Sequence, residues 1–256
     1  MGDNSQIEWT DATWNPITGC TKVSQGCKNC YAERVTERFG RGPFSEIKVH
    51  PERFDQPFRW KRPRLIFVNS MSDLFHEKLD VAVIKRIFEE MIRAPQHTYQ
   101  VLTKRPERMA AFLNLWGEWA DNPASHIWLG TSVEDQATAD LRVPILLEVP
   151  AASRFLSCEP LLGPVDLSKW LPNLNWIIGG GESGPGFRET KVEWGRKMRD
   201  QCLEAKVPFF WKQWGGLYPK AGGNLLDGRV WDDIPGGWRA AAQEEKKASP
   251  PQGEKG

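Results

Sequence analysis

The chain has 256 residues, enough for one large domain or two small ones with a sizeable core. Hydrophobic residues make up 40% and charged residues 26%, a soluble globular composition, and the formal net charge of +1 excludes an argument from global charge to nucleic acid. No apolar run is long enough to span a bilayer, the first five residues lack a signal-peptide pattern, and the odd number of cysteines (five, three of them clustered at one end) points to a reducing cytoplasm rather than a secreted disulfide framework.

A first strand is expected near residues 7–14, followed by a cysteine-bearing loop and a helix over 30–39. The apolar run 65–68 reads as a strand feeding the polar turn 69–73. Asp80 is placed to cap a helix carrying Ile84, Ile87, Phe88, Met91 and Ile92 on one face. The run 99–102 ends in Thr103, Lys104 and Arg105, and Pro106 opens a helix with Met109, Phe112 and Leu113 inward. Further strands are expected at 127–129, 154–156, 176–178 and 209–211, with a short helix at 144–149 and a longer one at 190–205. Strand and helix in alternation imply a parallel α/β sheet. About seven strands, within a range of six to eight, predict a TIM-barrel-like (β/α) barrel, complete or partly open, over residues 1–216. Residues 217–238 read as an irregular cap, and 239–256 have the composition of a disordered tail.

The most specific feature is Cys20, Cys27 and Cys30, spaced C-x6-C-x2-C. A closed zinc site wants four protein ligands, so three thiolates point to a [4Fe–4S] cluster with one open iron, the arrangement that radical chemistry with S-adenosylmethionine requires. Zinc with His50 or Cys158 as fourth ligand is the alternative. Ser70, Ser72 and Asp73, at a strand end, suit an ammonium group, unless Asp73 only caps the following segment. Glu134, Glu159 and Glu182 also follow strands and, with Asp73, put four carboxylates on one rim; paired carboxylates would equally suit a glycosidase. Thr103, Lys104 and Lys212 suit a carboxylate or phosphate, or simple rim ion pairs. Gly180 and Gly181, followed by Glu182 and Ser183, let backbone approach a flat ligand such as adenine or ribose. Cys158 is a candidate hydrogen-atom donor or a small buried residue. The stretch with Arg53, Arg59, Trp60, Lys61, Arg62 and Arg64 mixes cations and rings as nucleic-acid binders do; the alternative is a solvated loop with its rings tucked into the barrel wall.

The opening W-T-D-A-T-W-N-P-I-T-G-C-T-K-V-S-Q-G-C-K-N-C-Y-A resembles the signature of a three-cysteine phage and bacterial family of unknown function, itself similar to the radical SAM superfamily. The likeness continues through N-S-M-S-D-L-F-H, V-L-T-K-R-P-E-R-M, L-G-T-S-V-E, S-C-E-P-L-L-G, G-G-G-E-S-G-P-G and F-W-K-Q-W-G, over residues 7 to 216. It implies a [4Fe–4S] cluster on Cys20, Cys27 and Cys30, S-adenosylmethionine held by the rim residues above, and an enzyme that forms a 5′-deoxyadenosyl radical. It further implies an electron donor such as flavodoxin or ferredoxin, and a nucleobase or nucleic acid as substrate. A metal-stabilised nucleic-acid-binding protein without catalysis is the competing expectation.

Overall fold

In the computed structural model, which describes residues 5–40 and 42–237, seven short apolar strands set the architecture. The expected tail, 239–256, lies outside the described residues. In chain order, β1 (Ala12–Trp14) is followed by β2 (Ile17–Thr18), which pairs with β3 (Lys48–Val49) across the cysteine segment and α1 (Tyr31–Arg38). Next come α2 (Gln56–Arg59), β4 (Leu65–Val68), α3 (Val81–Arg93), β5 (Thr98–Thr103), α4 (Pro106–Leu115), α5 (Gly117–Asp121) and β6 (Ile127–Ser132). Then follow α6 (Gln136–Glu148), β7 (Ser153–Cys158), β8 (Trp176–Gly179), α7 (Val192–Ala205), β9 (Phe209–Trp211) and a small hairpin of β10 (Leu225–Leu226) and β11 (Arg229–Val230). The sheet order is β1-β4-β5-β6-β7-β8-β9, every pair is parallel, and the sheet curls into an open half-barrel, as expected from the alternation of elements.

The strands are apolar on both faces because each face has its own cluster. Ile66, Val68, Tyr99, Val101, Leu129, Leu156, Ile177 and Phe209 pack outward against helix residues such as Ile84, Phe88, Met109, Val143 and Met198. Trp9, Phe67, Phe155, Trp176, Ile178 and Phe210 form the inner cluster. Asp80 caps α3, its Oδ1 accepting from the Ala82 amide at 2.8 Å. The helix expected at 144–149 is only the end of α6, which starts after a capping box of Asp135 and Thr138. Pro144 imitates a helix start, but here it lies inside the helix.

The first strand is shorter than its apolar sequence implies. Only residues 12–14 pair in the ladder, while the segment before them turns into the interior of the half-barrel. Trp9 belongs to the inner cluster, and its carbonyl accepts from Gln100 Nε2 at 3.0 Å. Glu8 meets Lys220 at 3.1 Å. On the β9 side, the Trp211 amide donates to the Trp231 carbonyl at 2.8 Å, and Trp176 Nε1 donates to the Asp233 carbonyl at 2.8 Å.

Gly130 tests the inner packing, since a Cβ there would stand 2.6 Å from the Phe155 ring. Gly130→Ala is expected to cost about 1–3 kcal/mol by overpacking, seen as a lower urea midpoint with an unchanged denaturant slope.

Candidate functional site

Side chains alternate along each strand, so the inner cluster identifies the residues that face the mouth at the strands' C-terminal ends. Leu102 is followed by Lys104, Phe155 by Ser157 and Glu159, Trp176 by Ile178 and Gly180, and Phe210 by Lys212. The floor is aromatic: Trp9 lies 4.7 Å from Phe67 and 6.3 Å from Trp176 between ring centroids. Charge sits one inward-facing step higher. Lys212 Nζ lies 3.1 Å from Glu159 Oε1, and Glu159 Oε2 accepts from Trp9 Nε1 at 3.2 Å and from Ser157 Oγ at 3.3 Å. Lys104 Nζ lies 3.4 Å from Glu134 Oε1. Lys104, Glu159 and Lys212 are all half-buried.

The cysteine loop crosses this mouth and is tied down by the rim acids. Gly19 pairs with Ser72, whose Oγ donates to the Ile17 carbonyl at 3.1 Å. Asp73 is buried and accepts from Thr103 Oγ1 at 2.7 Å, the Lys104 amide at 3.1 Å and Arg105 Nη1 at 3.1 Å. Arg105 then reaches the loop, donating to Thr21 Oγ1 at 3.0 Å and to Cys20 Sγ at 3.6 Å. Ser24 Oγ donates to Glu134 at 2.7 Å, while Arg142 holds the other Glu134 oxygen at 3.0 Å. Asn29 Nδ2 donates to Glu182 at 2.9 Å, and Arg188 Nε donates to the same oxygen at 2.9 Å. Tyr31 donates its hydroxyl to the Ser70 carbonyl, and Ser70 Oγ accepts from Asn15 Nδ2 at 3.1 Å.

Burial alone would raise the Glu134 carboxyl, but Lys104, Arg142 and the Ser24 hydroxyl override it and hold its pKa below the ordinary value. Glu182 follows the same logic, with Arg188 and Asn29 overcoming burial. Burial, reinforced by the Asp73 charge and opposed by Arg105, pushes the Cys20 thiol up to about 11.

These contacts correct the metal-centred expectation. Among the described residues, no three His, Cys, Asp or Glu side chains come together in a group able to hold a metal ion. Cys20 turns to Arg105, Cys27 lies 3.9 Å from Ser24 Oγ, and Cys30 occupies the position before α1. His50, the suggested fourth zinc ligand, bonds Thr18 Oγ1 at 2.8 Å, and Cys158 is buried in the outer cluster. The donor set therefore fits neither the [4Fe–4S] cluster nor zinc. S-adenosylmethionine on a free iron, the radical enzyme, and the likeness to the radical SAM superfamily that rested on this centre fall with it, as does the metal-stabilised binding protein. No helix among the described residues is long and apolar enough to cross a membrane.

The family profile for a protein of unknown function (DUF5131) matches residues 4–235. The chain belongs to this family. No curated protein matches this DUF5131 chain. Among solved structures it is similar to a tyrosine-to-phenylalanine variant of spore photoproduct lyase, with 11% identity, 86% of this chain and 79% of that chain covered, and a TM-score of 0.49. A cysteine-to-alanine variant of spore photoproduct lyase gives 12%, 85%, 79% and 0.46. Spore photoproduct lyase complexed with a dinucleoside spore photoproduct gives 13%, 81%, 65% and 0.42.

The remaining candidates are distributed unevenly. Ser70, Ser72, Asp73, Thr103, Lys104, Glu134, Glu159, Glu182, Ser183 and Lys212 do gather around the mouth. Gly180 faces Glu159, whereas Gly181 lies against backbone: a Cβ there would stand 1.9 Å from the Trp214 carbonyl oxygen. Cys158 points away from the mouth, with Cys202, into the helix layer. Arg53, Arg59, Trp60, Lys61, Arg62 and Arg64 lie outside the barrel, Arg53 before α2 and the others at its end or beyond it. Reading the sequence missed the partners of the acids: Ser24, Asn29, Arg142 and Arg188. Asn29, immediately before Cys30, was the visible signal.

Both lowered carboxyls contribute stability that is complete above their ordinary value of 4.5 and is lost as pH falls through their lower folded values. The urea midpoint is therefore expected to fall as pH drops below about 4.5, and Glu134→Gln to flatten that fall while costing about 3 kcal/mol at neutral pH.

Proposed function

We propose that the half-barrel is a recognition module that takes a nucleotide unit into its mouth. The observation that supports this most directly is the placement of Lys104, Glu159 and Lys212 on the inner face, one step above an aromatic floor. The other rim acids, Asp73, Glu134 and Glu182, are engaged in holding the cysteine loop. Lys212 and Glu159 meet in an ion pair at 3.1 Å that keeps some access to solvent, with Glu159 also held by Trp9 Nε1.

Each part has a matching chemistry. Two ammonium groups suit phosphate oxygens. A carboxylate accepts from a base amino group or a ribose hydroxyl. Leu102, half-buried on the same inner face, and the rings beneath it supply an apolar surface for a base. Tyr31, about half exposed, is tied to the Ser70 carbonyl and lies within electrostatic reach of Glu159, where its ring can cover a bound base. The activity proposed is binding, with no bond made or broken.

Calorimetric titration of the full chain with adenosine monophosphate, adenosine and ribose 5-phosphate tests this. Adenosine monophosphate is expected to bind most tightly, and Lys104→Ala and Lys212→Ala each to weaken it about tenfold, about 1.4 kcal/mol. Absence of saturable heat, or unchanged affinity in both variants, would remove the mouth as a nucleotide site.

A further inference from the structure

The segment 51–64 is a strongly charged motif that the mouth does not use. It carries five arginines and lysines against two acids, on a chain whose formal net charge is only +1. Its course is set by buried anchors. The Arg53 carbonyl accepts from Trp14 Nε1 at 2.7 Å, and Arg53 Nη1 donates to the Asn15 carbonyl at 3.1 Å, just beyond the end of β1. Further along, the Pro57 carbonyl bonds His97 Nε2 at 2.9 Å, and Trp60 packs edge-on against the His97 ring. The segment thus runs down the outer wall from the mouth end of β1 to the start of β4.

What remains outside these anchors is cationic and aromatic. Arg59, Lys61 and Arg62 are exposed. Phe58 is exposed as well, with the Arg93 guanidinium 5.2 Å over its ring. Arg93 is itself held from α3 by the buried Glu90 at 2.9 Å. The Arg64 guanidinium lies 5.4 Å from the Trp60 ring. Beside them lies a cleft of about 280 Å³ lined by Glu52, Arg53, Gln56, Arg59 and Trp60. Arg59 meets Asp55 in a surface pair at 2.7 Å, and an exposed pair of this kind is cheaply exchanged for a phosphate.

We infer that this outer band is a binding surface for a single-stranded nucleic acid, gripping its phosphates with Arg59, Lys61 and Arg62 and offering the Phe58–Arg93 stack to a base. Closely spaced cations explain affinity for any polyanion; the stacked ring and guanidinium are what favour a strand with bases over an acidic peptide. The band does not depend on the mouth reading, because it shares no residue with Lys104, Glu159 or Lys212. Its upper end at Arg53 does lie toward the mouth, so one strand could serve both sites.

Fluorescence anisotropy of a labelled single-stranded DNA of about twelve nucleotides, with the full chain, tests the band. A triple variant, Arg59→Ala with Lys61→Ala and Arg62→Ala, is expected to bind at least about tenfold more weakly, with the slope of log affinity against log salt reduced by about two. A control with Lys169→Ala, Lys197→Ala and Lys206→Ala is expected to bind as the parent does. Lys61→Glu alone should weaken binding in the same direction, a check should the triple variant fold poorly. Phe58→Ala should weaken oligonucleotide binding without changing the salt slope. The inference is overturned if the parent does not bind, if the band variants bind like the parent, or if the control loses as much. It is also overturned if polyglutamate at equal charge displaces the oligonucleotide as well as unlabelled DNA does, which would assign the band to acidic proteins. Adenosine monophosphate affinity reads the mouth separately.

Discussion

The buried pair of Asp73 and Arg105 joins the three parts on which the rest of the site depends. Asp73 follows β4, Arg105 follows β5, and the guanidinium reaches onward to Thr21 and Cys20 in the loop. The side chains are only 7% and 9% exposed, so removing either would leave a charge stranded in a poorly solvated place. Two neighbouring strand ends and a segment more than fifty residues upstream are thus fixed relative to each other by one set of charge-assisted hydrogen bonds. Glu134 and Glu182 repeat the device further round the rim, and together the three acids settle where the loop lies.

That arrangement divides the polar groups at the mouth into two sets. Asp73, Glu134 and Glu182 have their lone pairs directed at protein donors and act as architecture. Lys104, Glu159 and Lys212 keep partial access to solvent above a hydrophobic base.

Much of the scaffold was legible in the sequence because the strands are continuous apolar runs and each is followed by a polar turn. The run at 65–68 and its successors therefore gave the parallel sheet and its order of appearance. Two local signals misled. Ile7 and Trp9 look like strand residues, yet Trp9 is apolar because it fills the barrel interior. Pro144 looks like a beginning, yet Asp135 had already capped that helix.

The site was legible in its membership and not in its pairing. Acids just past strand ends were bound to share a rim, since parallel strands end on one side. Their partners were hidden by distance along the chain: Ser24 lies 110 residues before Glu134, and Asn29 lies 153 before Glu182. The cysteine spacing says how close the sulfurs are in sequence, but not which way they point. Once Arg105 and Ser24 claim Cys20 and Cys27 as neighbours, the triplet has no common centre.

The placement of Trp9 inside the half-barrel has a consequence for how the molecule is made. Trp9 and Glu8 find their partners in Glu159 and Lys220, residues that leave the ribosome long after them. Phe67 and Gln100 emerge earlier and give Trp9 its first neighbours, but its surroundings are complete only once Glu159 and Trp176 follow. Contacts so remote in sequence slow the search for the native state. The inner cluster around Trp9 is therefore completed in stages as the chain lengthens, its last ring being Phe210.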